Sequence, residues 1–240
     1  MDREEYRVKQ GILYGVGIGP GDPELITLKA VRVLESCPVI ACPQTEGEKN
    51  LALDIIRDTV NLDHKQILHL PFGMKRDPIQ RKQNYQDTAA LLLSQLQAGQ
   101  DVAMITLGDV SLYSTFGRLQ PLIEDAGFQT CMIPGVPSFC AVSARLGTLL
   151  AEGRKPLHIL PVGGRDWEKG LSLPGTKVLM KAGKDLEQLV QVLKEHDCLE
   201  NTSFIQNCGL PEEVICRDLT GKLPKTGYFT TMVIQEKKGE

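Results

Sequence analysis

Ile12-Leu13-Tyr14-Gly15-Val16-Gly17-Ile18-Gly19-Pro20-Gly21-Asp22-Pro23-Glu24 is the stretch on which the fold turns. Ile12–Val16 is apolar enough for a buried strand. Asp22-Pro23-Glu24 is a helix-start signal, with a side chain to cap the first turn, proline at its first position and an early acid. Leu25, Leu28, Ala30, Val31 and Leu34 then recur at helical spacing. A strand, a glycine-rich turn and a helix in this order form the opening half of a βαβ unit. Closely spaced glycines allow backbone to come near a ligand, and a helix N-terminus favours an electron-rich group.

The same alternation continues. Val39–Cys42, Gln66–Leu70, Val102–Leu107 and Thr130–Ile133 are expected strands. The segments 50–60, 80–97 and 115–126 are expected helices, with Gly99 and Gly127 ending the last two. Near-continuous apolar strands between helices point to a parallel sheet covered on both faces. Beyond Pro134-Gly135 the pattern changes. A helix at Ser138–Leu146, strands at Leu157–Val162 and Lys177–Lys181 and a helix at Asp185–His196 lead into three strand-like runs at 203–207, 214–218 and 228–234. That succession predicts a mixed sheet with helices. The expected organisation is an N-terminal α/β domain over 1–135 and a C-terminal α/β domain over 136–240.

Composition narrows the function. Of 240 residues, 42% are apolar, enough for a real core, and the net charge of −3 disfavours a general nucleic-acid binder. No stretch approaches the roughly 20 apolar residues that span a bilayer, and the polar N-terminus has no signal-like apolar region, so the expected location is the cytoplasm. The seven cysteines are scattered with no C-x-x-C, and His64, His69, His158 and His196 form no ligand motif beside them. Free thiols and no bound metal are expected.

Three loops can carry chemistry. The glycine run is not a dinucleotide fingerprint, because G-x-G-x-x-G from Gly15 requires glycine where Pro20 stands, and it lacks the G-K-[ST] ending of a phosphate loop. Thr106-Leu107-Gly108-Asp109-Val110-Ser111-Leu112-Tyr113-Ser114-Thr115 follows a strand, where open α/β sheets bind ligands. An Asx turn leading into a helix cap would account for the same residues. Pro134-Gly135-Val136-Pro137-Ser138-Phe139 again lies between a strand and a helix, with Ser138 acceptable as a helix cap. Met180, in Val178-Leu179-Met180-Lys181, is on residue type alone more often core than contact.

In this order these motifs resemble the tetrapyrrole methylase family of cobalamin and sirohaem synthesis. The matching stretches are GVGIGPGDPELITLKA, LGDVSLYST, IPGVPSF, VLMK and a late Tyr-Phe-Thr-Thr, and they cover essentially the whole chain. The pairing of LGD-x-SLYST with PGV-x-SF and a following ARLG resembles the branch that methylates C20 of precorrin-2 or cobalt-factor II. The resemblance implies a two-domain tetrapyrrole methylase fold with S-adenosylmethionine in the cleft between the domains, S-adenosylhomocysteine as product, a small-molecule tetrapyrrole as substrate and a homodimer. The family's cofactor contacts map to Pro20, to Leu107, Gly108, Asp109 and Leu112, to Pro137 and Ser138, to Met180, and to the segment with Asn207 and Gly209. Val110 stands where proline commonly follows G-D, and Pro137 where PGV-T-S has threonine, which removes a hydroxyl contact.

The implied reaction is an in-line displacement at a sulfonium methyl by an electron-rich meso carbon, which needs alignment and dryness rather than a catalytic metal. The carbon must then lose its proton. Asp109 and Tyr113 are the candidate bases, unless Asp109 only orients the loop. Lys75, Arg76, Arg81, Lys82, Arg118, Arg145 and Arg154 are candidate partners for substrate carboxylates, since arginine suits bidentate contact. Competing possibilities are another family activity, such as uroporphyrinogen III C-methylation or a diphthine-type methylation, a non-catalytic tetrapyrrole- or nucleotide-binding module, and a dinucleotide oxidoreductase. The SLYST continuation disfavours the first two, the intact GPGD and LGD loops the module, and Pro20 the oxidoreductase.

Overall fold

The computed structural model describes residues 10–44, 50–72, 77–221 and 223–236. The chain forms two compact units, Met1–Val136 and Pro137–Glu240.

In the first unit, strands β1 (Leu13–Gly17), β2 (Val39–Gln44), β3 (Gln66–Pro71), β4 (Val102–Thr106) and β5 (Thr130–Ile133) alternate with helices α1 (Leu28–Ser36), α2 (Leu51–Arg57), α3 (Pro78–Gln97) and α4 (Phe116–Asp125). The strand order is β3-β2-β4-β1-β5 and every pairing is parallel. The connection out of β1 runs one way along the sheet and that out of β4 runs the other way, across β1. With right-handed crossovers these two connections cover opposite faces. Leu13, Val39, Ala41, Val102 and Met104 form one core with Ala89, Leu92 and Leu96 of α3 and Phe116, Leu119 and Ile123 of α4. The alternating residues Ile40, Cys42, Ala103 and Ile105 are fully buried too, so both faces are covered. Gly15 makes room for Phe116, because a Cβ there would lie 2.6 Å from its ring.

The first helix differs from the expected one. Asp22 does accept a hydrogen bond, from the Glu24 N–H at 2.9 Å, but it caps only a single 3-10 turn, Pro23–Leu25. Ile26 is extended, and Thr27 is a second cap whose Oγ1 accepts from the Ala30 N–H at 3.1 Å. The α-helix therefore starts at Leu28. Its far end is closed by Lys65, whose ammonium donates to the Glu35 and Cys37 carbonyls at 2.9 and 2.8 Å.

In the second unit, β6 (Leu157–Pro161), β7 (Thr176–Met180), β8 (Thr202–Gln206), β9 (Val214–Cys216) and β10 (Thr230–Ile234) form a sheet of order β6-β7-β10-β8-β9. β6 and β7 are parallel and the remaining pairs antiparallel, so the sheet is mixed. On one side of it, Val142 and Leu146 of α5 (Ser138–Leu146) meet Ile205 and Val233. On the alternate side, helix α6 (Leu186–Glu195) packs Leu186, Leu189 and Leu193 on Leu179, Phe204 and Met232. The last strand begins two residues after its expected start, because Tyr228 and Phe229 turn outward ahead of it. None of the seven cysteines forms a disulfide among the described residues. Among the described residues, no helix is long and apolar enough to cross a membrane.

Candidate active site

The carboxyl ends of β4, β1 and β5 lie side by side, at the point where the connections diverge. Open parallel sheets bind their ligands at such a point. Here the three loops leaving those strands are tied together by backbone. Gly19 and Gly108 form an isolated antiparallel bridge: the Gly19 N–H donates to the Gly108 carbonyl at 3.2 Å and the Gly108 N–H to the Gly19 carbonyl at 2.7 Å. Gly17, Gly108 and Gly135 are in direct main-chain contact. A Cβ on Gly17 would sit 2.7 Å from the Gly135 nitrogen and 2.8 Å from the Gly108 oxygen; one on Gly135 would sit 2.2 Å from the Gly108 oxygen. These tight glycine positions thus serve loop against loop, where spacing alone suggested loop against ligand.

Asp109 completes the tie. Its Oδ2 accepts from the Gly135 N–H at 2.8 Å, and its Oδ1 accepts from the Ser111 N–H at 2.8 Å and from the Ser111 hydroxyl. Burial pushes the carboxyl pKa up, but the bonds from the Ser111 side chain and from the Gly135 and Ser111 backbone outweigh it, leaving the group below its ordinary value of 3.8. With both oxygens taken, this carboxylate is a poor proton acceptor and a good clamp. Tyr113, the other candidate base, is 49% exposed, and its φ of 52° is unusual for a residue of its size. The Ser114 hydroxyl donates to the Val110 carbonyl and keeps the loop turned over Val110, which is buried.

A second set of strand ends is built within the other unit. β7 and β8 end, and β10 begins, on one edge of the mixed sheet, which brings Met180, Asn207 and Thr230 together at that edge, with Gly209 two residues further along the chain. Ser138 joins them: its hydroxyl lies 3.3 Å from Thr231 Oγ1, and Thr231 pairs with Met180 across the sheet. Ser138 is not the cap of α5. Pro137 occupies that position and, having no hydroxyl, makes no side-chain cap bond, which leaves Ser138 for Thr231. Lys181 and Asn207, each one residue past a strand, have φ of 60° and 53°. Left-handed backbone at residues with side chains costs energy and concentrates at functional sites.

The basic residues separate. Lys75 and Arg76 lie outside the described residues. Arg118 is exposed in the first turn of α4, directly after the Leu107–Thr115 loop, with no side-chain partner among the described residues. Arg81 and Lys82 are exposed along α3, and Arg154 is exposed in a loop of the second unit. Arg145 has an internal partner. Its Nε donates to Glu213 Oε1 at 2.9 Å, while Glu213 Oε2 accepts from the Gly209 N–H at 3.0 Å. Burial raises the Glu213 pKa, and the Gly209 and Arg145 bonds more than reverse that. Arg145 thus braces the segment 207–213 through its Nε.

Sequence reasoning missed two features. Thr106 Oγ1, at the very end of β4, is buried without a hydrogen-bond partner. Tyr228 and Phe229, at the edge that carries Met180 and Asn207, are exposed and meet edge to face at 5.4 Å. The adjacency of the two aromatics was visible in the sequence; their exposure was not.

The model of the family described as Tetrapyrrole (Corrin/Porphyrin) Methylases matches residues 12–224. The chain belongs to this family. Among tetrapyrrole methylases, a protein of Methanocaldococcus jannaschii named probable cobalt-precorrin-2 C(20)-methyltransferase is 39% identical over 186 residues, 77% of this chain and 78% of its own length. The cobalt-precorrin-2 C(20)-methyltransferase of Salmonella typhimurium is 31% identical over 235 residues, 95% of this chain and 97% of that one. The solved uroporphyrin-III C-methyl transferase of Thermus thermophilus, complexed with S-adenyl homocysteine, matches with a TM-score of 0.70 at 22% identity, over 93% of this chain and 97% of that one. At that identity the likeness speaks for the tetrapyrrole methylase fold alone.

Proposed function

We propose that this tetrapyrrole methylase transfers a methyl group from S-adenosylmethionine to C20 of cobalt-containing precorrin-2 in cobalamin biosynthesis. The observation that carries the substrate is the relationship to two proteins named for that reaction, one of which spans 95% of the chain. The strand-end loops suit the cofactor. Thr106 has a buried hydroxyl that lacks a partner, and three loops are clamped to present backbone at the ends of β1, β4 and β5. Pro20, Leu107, Gly108, Asp109 and Leu112 in the first unit, and Pro137, Ser138, Met180, Asn207 and Gly209 in the second, are the residues that would hold it.

S-adenosylmethionine supplies an activated methyl on a sulfonium. The protein's part is to align that methyl with the meso carbon and keep water away. Asp109 is a positioning residue that fixes the loop after β4 against the loop after β5. Tyr113, half-exposed on the same loop, is the remaining candidate for assisting the loss of the C20 proton. Arg118, and Lys75 and Arg76 in the segment before α3, would receive peripheral carboxylates. A homodimer working in the cytoplasm belongs to the same proposal; a solution mass of two chains by light scattering checks the first part.

The decisive experiment is mass spectrometry after incubation with S-adenosylmethionine and precorrin-2, with and without inserted cobalt. One added methyl on the cobalt form alone is expected. A methyl on the metal-free form alone would reassign the substrate, and no methyl on either would remove the proposed reaction. In a melting experiment, S-adenosylhomocysteine at about 100 times its Kd is expected to add roughly 2.7 kcal/mol of stability, and NAD none.

A further inference from the structure

A conjugated macrocycle edged with carboxylates is at once flat, apolar on its faces and anionic at its rim. Lys181 and its surroundings match those properties, and a role for them rests on the proposed tetrapyrrole substrate. The Lys181 ammonium stands 5.6 Å from the centroid of the Tyr228 ring. Tyr228 and Phe229 are 51% and 45% exposed, an unusual amount of aromatic surface to leave in water. No carboxylate among the described residues pairs with Lys181. Asp185, four residues on, caps α6.

The arrangement is built rather than incidental. Lys181 takes a left-handed φ of 60°, which a merely solvated lysine at a strand end has no need of. The segment facing it is pinned at several points. Gln206 Oε1 accepts from the Gly227 N–H at 2.8 Å, the Thr226 hydroxyl donates to the Gly183 carbonyl at 3.1 Å, and the Thr230 hydroxyl donates to the Gly227 carbonyl at 2.7 Å. Gly183 itself has no room for a side chain, since a Cβ would meet the Gly227 oxygen at 1.9 Å. The backbone leading into Tyr228 is thereby pinned, and a cation stands on its ring without a counter-ion among the described residues.

We propose that Lys181 is the residue of the second unit that receives a peripheral carboxylate of the macrocycle, with the Tyr228 ring holding the ammonium in place until the substrate arrives. The test is a fluorescence titration of cofactor-free protein with uroporphyrin III, a stable carboxylated macrocycle, for the wild type, K181M and K181R. K181M keeps the aliphatic stem and loses the charge; its affinity is expected to fall about ten-fold, and K181R to restore most of it. The deficit should shrink as salt is raised, since the lost attraction is one of charge. S-adenosylhomocysteine affinity and melting temperature should not change. Unchanged porphyrin affinity in K181M would overturn the assignment. So would a loss of S-adenosylhomocysteine affinity instead, which would place Lys181 on the cofactor, or a porphyrin deficit in K181R equal to that of K181M, which would make the effect one of packing. A wild type that binds no porphyrin and methylates no tetrapyrrole would instead remove the parent proposal.

Discussion

Replacing Gly135 by alanine is expected to weaken S-adenosylhomocysteine binding by at least about thirty-fold, equivalent to ~2 kcal/mol. The added methyl has nowhere to go. It would stand 2.2 Å from the Gly108 oxygen and 2.7 Å from the Gly17 carbonyl carbon, and both are main-chain atoms at strand ends, so no side chain can rotate away. Relief requires the loop after β5 to lift off. That breaks the bond from the Gly135 N–H to Asp109 and releases the turn at Leu107–Leu112. A built-in control separates this from a general dislike of alanine. Gly117, in the first turn of α4, has nothing within 4 Å of an added Cβ. G117A is expected to be neutral or to stabilise by about 0.4–1 kcal/mol, through reduced freedom of the unfolded chain. Calorimetric titration of both variants, with circular dichroism to confirm folding, checks the pair. Wild-type affinity in G135A would show that the clamp is not needed.

The second large effect is at Asp109. Asparagine keeps the shape but turns one oxygen into a donor, which then faces either the Gly135 N–H or the donors of Ser111. Removing a charge-assisted bond of this kind costs roughly 1.5–3 kcal/mol, so the Kd for S-adenosylhomocysteine should rise at least about ten-fold. Turnover at saturating cofactor should survive. The opposite result, intact affinity with lost turnover, would identify Asp109 as the base and end its assignment as a clamp. The group also makes a pH prediction. Its folded-state pKa lies below 3.8, so its contribution to stability is complete above the unfolded value and fades as pH falls through the folded one. The melting-temperature gap between wild type and D109N should therefore be full at pH 5 to 7 and close below about pH 4. A gap that persists in strong acid would mean that the carboxylate charge is not what holds the loops.

Local signals carried the fold further than they carried the site. The parallel sheet was legible because β1, β2 and β4 are apolar at almost every position, as strands buried on both faces must be. The start of α1 was misread because Asp22-Pro23-Glu24 and Thr27 are both good caps, and nothing local says that the first closes only one turn. The glycine run was legible as a turn, but not its purpose: Gly17 is shaped by Gly135, far along the chain, and no spacing rule connects them. Arg145 has the right chemistry for a substrate carboxylate, but its ion pair with Glu213, brought to it by the fold of the second unit, was not legible in the sequence. Lys181 closes a strand motif that looks ordinary in sequence, and only the placement of Tyr228 beside it gives the cation a task.

The strand order has a consequence for how the molecule is made. β1 leaves the ribosome well before both of its neighbours: Leu13 lies against Val102 on one side and Thr130 on the other. At roughly 5–20 residues per second, β1 waits on the order of ten seconds for its partners, with both edges unpaired. Meanwhile β2 and β3 can already pair with each other. The glycines that later lock the loops lie on strand ends that meet only when β5 docks. Chains truncated just short of β5 should thus be protease-sensitive and prone to associate through the edge of β1 that β5 later covers, and chains of the first unit that run past Gly135 should show neither behaviour.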